Sequence, residues 1–221
     1  MKAVGADVGL AFDGDADRVF LVDEKAQPVS GSLTTALLAK GILAKSPGET
    51  ILHNAICSKA VPEVVRESGG TPVRTKVGHS FIKQVMADTG AVFGGEHSAH
   101  YYFRDNFRAD SGLIASLIVL EQLSTSGQPL SELLRPVDRY AASGEINSKV
   151  DDTGAVIEKV AAAYSSCEQD RLDGLTVDAG SWWFNLRPSN TEPLLRLNLE
   201  APDRAECDRR VDEVLSIVRA D

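Results

Sequence analysis

The apolar positions of this chain change period along its length, and the changes mark out its elements. Val8 to Phe12 and Val19 to Val22 are nearly continuous apolar runs of strand length, set on either side of an acidic stretch. From Pro28 to about Pro136 strands alternate with helices. Leu33 to Leu43 is apolar at helical spacing, Glu49 to His53 reads as a strand, and Ser58 opens a helix carrying Val61, Val64 and Val65. Gly69-Gly70 ends that helix, Pro72 to Lys76 gives another strand, and Ser80 heads a helix with Phe81, Ile82, Val85 and Met86 on one face. Ala91 to Phe93 is a strand and Ser111 to Leu123 a long apolar helix. Such a βαβ series predicts a mainly parallel sheet with helices on both faces.

Beyond Pro136 the pattern changes. Strands are expected at Gly144 to Val150, Leu175 to Val177, Trp182 to Leu186 and Leu194 to Glu200, with amphipathic helices near 154–164 and 204–219. Leu195, Leu197 and Leu199 alternate with Arg196 and Asn198, the mark of an antiparallel sheet with one wet face. The expected fold is therefore α/β: a mainly parallel α/β sandwich domain over 28–136, then a small α+β domain with an antiparallel sheet over 137–221. Residues 1–27 read as the remnant of another α/β domain. Its two strands are apolar on both faces, yet nothing before them supplies a cover, so the start reads as cut. Val8, Leu10, Phe12, Phe20 and Val22 are expected to expose apolar surface and open edges, suited to self-association or to a complementary N-terminal chain.

Composition narrows the function classes. A net charge of -9 without a basic stripe argues against nucleic acid as a partner. No apolar run approaches the roughly 20 residues that cross a bilayer, and no signal-peptide pattern is present, so a cytoplasmic protein without a membrane partner is expected. Cys57, Cys167 and Cys207 are odd in number and far apart, which fits reduced thiols.

Asp13-Gly14-Asp15-Ala16-Asp17-Arg18 is the densest chemistry in the chain. Three carboxylates this close repel by roughly 1 kcal/mol or more per pair, so a fold that gathers them calls for a cation. Oxygen ligands alone favour Mg²⁺, Mn²⁺ or Ca²⁺ over Zn²⁺, and Arg18 supplies a fork for an oxyanion. Two other readings stand beside this one. The stretch could be a solvated acidic turn. It could be an EF-hand loop running from Asp13 to Glu24, although Arg18 sits where that loop needs glycine and the flanks look like strands.

Gly94-Gly95-Glu96-His97-Ser98-Ala99-His100 leaves a strand and gathers polar side chains on a loop. Carboxylate, hydroxyl and imidazole from Glu96, Ser98 and His100 suit the vicinal hydroxyls of a sugar. A zinc site on His97 and His100 lacks a third ligand, and a purely structural loop also stands as an alternative. Arg187-Pro188-Ser189-Asn190-Thr191-Glu192-Pro193, between two strands, suits a phosphate or else an ordinary hairpin connection. His79, within Lys76-Val77-Gly78-His79-Ser80, stands at a helix edge as a general acid or base, or simply as a neighbour of the cap.

Taken in order, the acidic hexapeptide, KVGHSFIK, GEHSAH and RPSNTEP resemble the α-D-phosphohexomutase family over essentially the whole chain. The loop at Glu96 is similar to that of the phosphomannomutase/phosphoglucomutase branch, with Ala99 in place of the usual Gly. The resemblance implies that Asp13, Asp15 and Asp17 hold Mg²⁺ and that Arg18 approaches the transferred phosphoryl group. It further implies that Glu96 and Ser98 bind sugar hydroxyls, that Arg187, Ser189, Asn190 and Thr191 grip the other phosphate, and that His79, with Lys76 the weaker candidate, assists proton transfer. The expected substrate is a hexose phosphate, mannose or glucose phosphate, isomerised between its 1- and 6-phosphates through a bisphosphate. The family's phosphoserine loop, of Ser-His-Asn-Pro type, matches nothing in these residues. The chain thus reads as a truncated C-terminal portion, inactive alone, or as a phosphosugar- or partner-binding module. An aspartyl phosphatase built on Asp13 and Asp15 is a further alternative, but it leaves the sugar and phosphate loops without a role.

Overall fold

A computed structural model describes residues 1–189 and 192–220. It divides the chain into two compact units, Met1–Arg139 and Tyr140–Asp221.

The first unit opens with an antiparallel sheet of β1 (Gly9–Phe12), β2 (Val19–Val22) and β3 (Pro28–Val29). There follow α1 (Gly31–Lys45), β4 (Thr50–Asn54), α2 (Ala60–Glu67), β5 (Thr71–Thr75), α3 (His79–Thr89), β6 (Phe93–Gly95), β7 (Tyr101–Phe103), β8 (Ala109–Asp110), α4 (Gly112–Ser126) and α5 (Leu130–Leu134). The second sheet runs β5-β4-β6-β7-β8. It is parallel across β5, β4 and β6, as the βαβ pattern predicts, and turns antiparallel at β7 and β8. The turn comes at GEHSAH, which folds the chain back on itself instead of leading into a helix.

Period-2 alternation puts this sheet between two apolar layers. Ile51, Phe93 and Tyr101 face the core shared with Leu37, Leu38 and Val119, while Leu52 and Tyr102 face Ile82 and Met86 of α3. Val19 and Leu21 of β2 are wholly buried in the first of these cores, so the opening strands belong to the same unit as the residues after them. Glu24 fixes them further by accepting from the backbone N–H and hydroxyl of Ser131. That contact draws Glu24 away from the acidic loop, and with strands flanking the loop the EF-hand reading falls. Of the residues expected to expose apolar surface, Phe12 is 38% and Phe20 42% exposed, whereas Val8, Leu10 and Val22 are half-buried.

The second unit contains β9 (Ala141–Lys149), α6 (Thr153–Ala163), β10 (Glu168–Asp170), β11 (Leu175–Asp178), β12 (Trp183–Pro188), β13 (Leu194–Ala201) and α7 (Arg204–Val218). Its sheet is antiparallel throughout, ordered β10-β11-β12-β13-β9. Leu195, Leu197 and Leu199 pack with Ile157, Val160 and Val214 of the helices in one apolar core. Among the described residues no helix is long and apolar enough to cross a membrane.

Candidate functional site

The acidic loop joins β1 to β2, whose innermost partners are Phe12 and Val19. Its shape depends on Ala16, held in the left-handed region at φ 61. It depends equally on Gly112 at the start of α4, whose N–H donates to the Ala16 carbonyl at 3.3 Å. A Cβ at Gly112 would lie 2.8 Å from the Arg18 carbonyl carbon, so only glycine lets helix and loop approach this closely.

Asp13, Asp15 and Asp17 each present a carboxylate oxygen within 4.8 Å of the others. Arg18 clamps Asp13, its Nε donating to Oδ2 at 2.7 Å and its backbone N–H to Oδ1 at 3.3 Å. The side-chain hydrogen bond holds the Asp13 carboxyl below its ordinary range. Desolvation pushes Asp17 the other way, with Asp15, Asp110 and Asp13 adding to the rise and His100 opposing it. Asp17 Oδ1 is buried and accepts no hydrogen bond. Three carboxylates, one arginine and an orphaned buried oxygen fit a hard divalent cation. Arg18, the expected phosphoryl contact, is engaged with Asp13 and stays half-exposed.

The second loop arrives at the same place. Glu96 N–H donates to the His100 carbonyl at 3.0 Å, and Ala99 N–H to the Glu96 carbonyl at 3.1 Å. Ala99 is left-handed at φ 68, a conformation that glycine adopts at less cost than alanine. A single antiparallel bridge pairs His100 with Arg18 and joins the sugar-loop candidate to the acidic loop. Ser98 Oγ lies 3.0 Å from His100 Nδ1. Glu96, expected to meet sugar hydroxyls, is only 2% exposed and accepts from Asn54 Nδ2 at 3.2 Å, Gly78 N–H at 2.9 Å and the Tyr102 hydroxyl at 2.9 Å. It ties β4, the 76–80 segment and β7 together.

His79 is the first residue of α3, its ring 5.4 Å from that of His100. Lys76 turns toward Phe81, with Nζ 5.5 Å from the ring centroid. His97 leaves the group, Nδ1 meeting Ser32 Oγ at 2.9 Å, so the His97–His100 zinc pair does not form. Asp110, unremarked in the sequence, closes the cluster. Its carboxylate lies 3.8 Å from His79 Nδ1, 3.9 Å from His100 Nε2 and 3.6 Å from Lys83 Nζ. The only sequence signal for it was its place just before a helix cap.

In the second unit Arg187 on β12 is buried and stands opposite Arg196 on β13. Glu145 serves both guanidinium groups, at 3.7 and 3.6 Å, and each Nε is buried without a hydrogen-bond partner. Arg196 Nη2 also reaches Ser189 Oγ at 3.3 Å. Two like charges facing one another with unused donors suit an anion. Arg196 entered the sequence reading only as the wet face of a strand; its pairing with Arg187 is set by the β12–β13 register. Asn190 and Thr191 lie outside the described residues.

Comparison with known proteins gives three kinds of likeness. The family pattern described as phosphoglucomutase/phosphomannomutase, alpha/beta/alpha domain III, matches residues 30–140, and that of the C-terminal domain matches residues 145–217. A protein from Xanthomonas campestris named "Phosphohexose mutases" is 45% identical over 223 residues, covering 99% of this chain and 50% of its own length. A phosphomannomutase from Methanocaldococcus jannaschii is 40% identical, covering 99% of this chain and 49% of its own. A crystal structure of a phosphoglucomutase/phosphomannomutase family protein from Burkholderia thailandensis superposes with a TM-score of 0.87 at 32% identity, over 99% of this chain and 48% of that one. The chain spans about half the length of the curated relatives it matches.

Proposed function

This chain belongs to the phosphoglucomutase/phosphomannomutase family, and from that premise we propose that it carries the metal, sugar and phosphate elements of a mutase interconverting hexose 1-phosphate and hexose 6-phosphate through a bisphosphate. The observation that carries this reading is the Arg18–His100 bridge, which sets the three aspartates and the histidine cluster side by side.

Asp13, Asp15 and Asp17 would hold Mg²⁺, which when bound supplies positive charge opposite a transferring phosphoryl group. Arg18, once drawn from Asp13, offers its guanidinium to that group. His79 stands exposed beside His100 and suits proton transfer at the reacting hydroxyl, with Lys76 the weaker candidate. Ser98 and His100 offer hydrogen bonds to the sugar, and Glu96 holds the loop that presents them. Arg187 and Ser189, with Asn190 and Thr191, would take the phosphate that is not transferred.

No Ser-His-Asn-Pro sequence occurs in these 221 residues, so the phosphoryl carrier would come from outside them. The same observation favours a second reading, a phosphosugar-binding module without turnover. The half-exposed Phe12 and Phe20 offer a surface for a complementary chain or a second copy. Isothermal titration with glucose 1-phosphate or mannose 1-phosphate in millimolar Mg²⁺ is expected to give saturable binding that Arg187→Ala abolishes. Absence of binding, or binding indifferent to that change, sinks the assignment. In a coupled assay with sugar bisphosphate, turnover by this chain alone would refute the need for an outside carrier.

A further inference from the structure

We infer, on the phosphate role proposed above for Arg187, that Glu145 is a built-in competitor of the substrate. Its carboxylate lies between Arg187 and Arg196 as a counter-anion that an arriving sugar phosphate displaces, and Asn198 receives it. All four side chains belong to the second unit.

The contact between these charges is loose. Glu145 Oε2 lies 3.7 Å from Arg187 Nη2, and Oε1 lies 3.6 Å from Arg196 Nη1. Both separations exceed hydrogen-bond length, so charge alone holds the carboxylate there. A carboxylate that oriented either guanidinium would take the short paired bonds its fork offers. Instead each Nε is buried without a partner. The charge balance points the same way. Two guanidiniums and one carboxylate leave the cluster positive. A phosphate ester, close to a dianion at neutral pH, would drive it negative with Glu145 in place and neutral with Glu145 withdrawn.

The backbone permits the exchange. Glu145 follows Gly144, left-handed at φ 70, where the β9–β13 register shifts between Asn198 and Glu200. A bulge of this kind re-aims the side chain beside it. The Glu145 side chain is 33% exposed and has room to swing, whereas that of Arg187 is 10% exposed and held in place. The register also sets the destination. Glu145 stands opposite Asn198, within side-chain reach across the antiparallel pair. Asn198 is buried, and its Nδ2 has no hydrogen-bond partner. A buried donor left unpaired is costly, and the released carboxylate would satisfy it.

The test is isothermal titration of the whole chain with glucose 1-phosphate in millimolar Mg²⁺. Glu145→Gln should bind at least about 5-fold more tightly than the parent protein, the low end of an ordinary coupling between two ligands that oppose each other. Asn198→Ala should bind more weakly than the parent, because the displaced carboxylate loses its donor. When Glu145 is already alanine, removing Asn198 should change nothing further. Asn198→Ala also reads the exchange without touching Glu145, should that variant fail to fold. Binding by Glu145→Gln that is equal to the parent's or weaker would mark Glu145 as a residue that orients the guanidiniums, and would overturn the inference. An equal loss on Asn198→Ala in both backgrounds would do the same. A parent that binds and loses binding on Arg187→Ala, with Glu145→Gln no tighter, sinks the displacement alone. Absence of binding by both the parent and Glu145→Gln sinks the phosphate reading with it.

Discussion

A buried carboxylate needs all its donors, and Glu96 draws its three from Asn54, Gly78 and Tyr102. Burial, then the neighbouring Glu96 charge, hold the Tyr102 phenol far above its ordinary value, so it remains a donor at every working pH. Tyr102→Phe should cost about 1.5–3 kcal/mol in urea unfolding, the worth of a hydrogen bond to a charged group. A loss below about 0.5 kcal/mol would show that Glu96 is not holding the loop. His53 makes a different demand. Fully buried on β4, with Arg74 and Arg66 nearby, it is brought down to about 4 from an ordinary 6.5, chiefly by desolvation. The unfolded chain therefore binds the proton first. Stability is complete above about pH 6.5 and falls as pH drops toward 4, by up to about 3 kcal/mol at 1.36 kcal/mol per pKa unit. His53→Gln should flatten the slope of unfolding free energy between those pH values; an unchanged slope would assign it to other groups. At this scale the sequence announces Asp13, Asp15 and Asp17 through their density. Asp110 is not legible, because a lone aspartate gains meaning only when β8 pairs with β7.

The elements divide in the same way. Helices α1 to α4, α6 and α7 follow from their apolar spacing, and the parallel strands β4, β5 and β6 from the alternation with helices. The short β3, β7, β8 and β10 and the single turn of α5 carry too few residues for a period to register. The antiparallel return at β7 is hidden because its turn residues also read as a ligand loop. Helix α4 shows what an element can do beyond its own packing. Ser111 caps it by accepting from Ile114 N–H, and the next residue, Gly112, lies against the acidic loop. Gly112→Ala should displace that loop, lower stability by about 1–3 kcal/mol through overpacking and weaken the rise in melting temperature expected from Mg²⁺ at the proposed site. Melting curves with and without Mg²⁺ that match the parent protein would dismiss this role for the helix.

The described residues form three apolar clusters, two in the first unit, on either face of its five-stranded sheet, and one in the second unit, from Ile157 to Val218. Each unit is large enough to unfold cooperatively by itself. Scanning calorimetry should therefore resolve two transitions, with Mg²⁺ raising only the one that contains the acidic loop. A single transition whose calorimetric and van't Hoff enthalpies agree would contradict this. The chain divides into its two compact units after Arg139, in the stretch where the period of its apolar positions changes. The touch of Gly112 on Ala16 has a bearing on engineering. The acidic hexapeptide transplanted into a foreign scaffold would leave behind the helix end that moulds it, so a graft meant to take up the proposed ion must bring both segments.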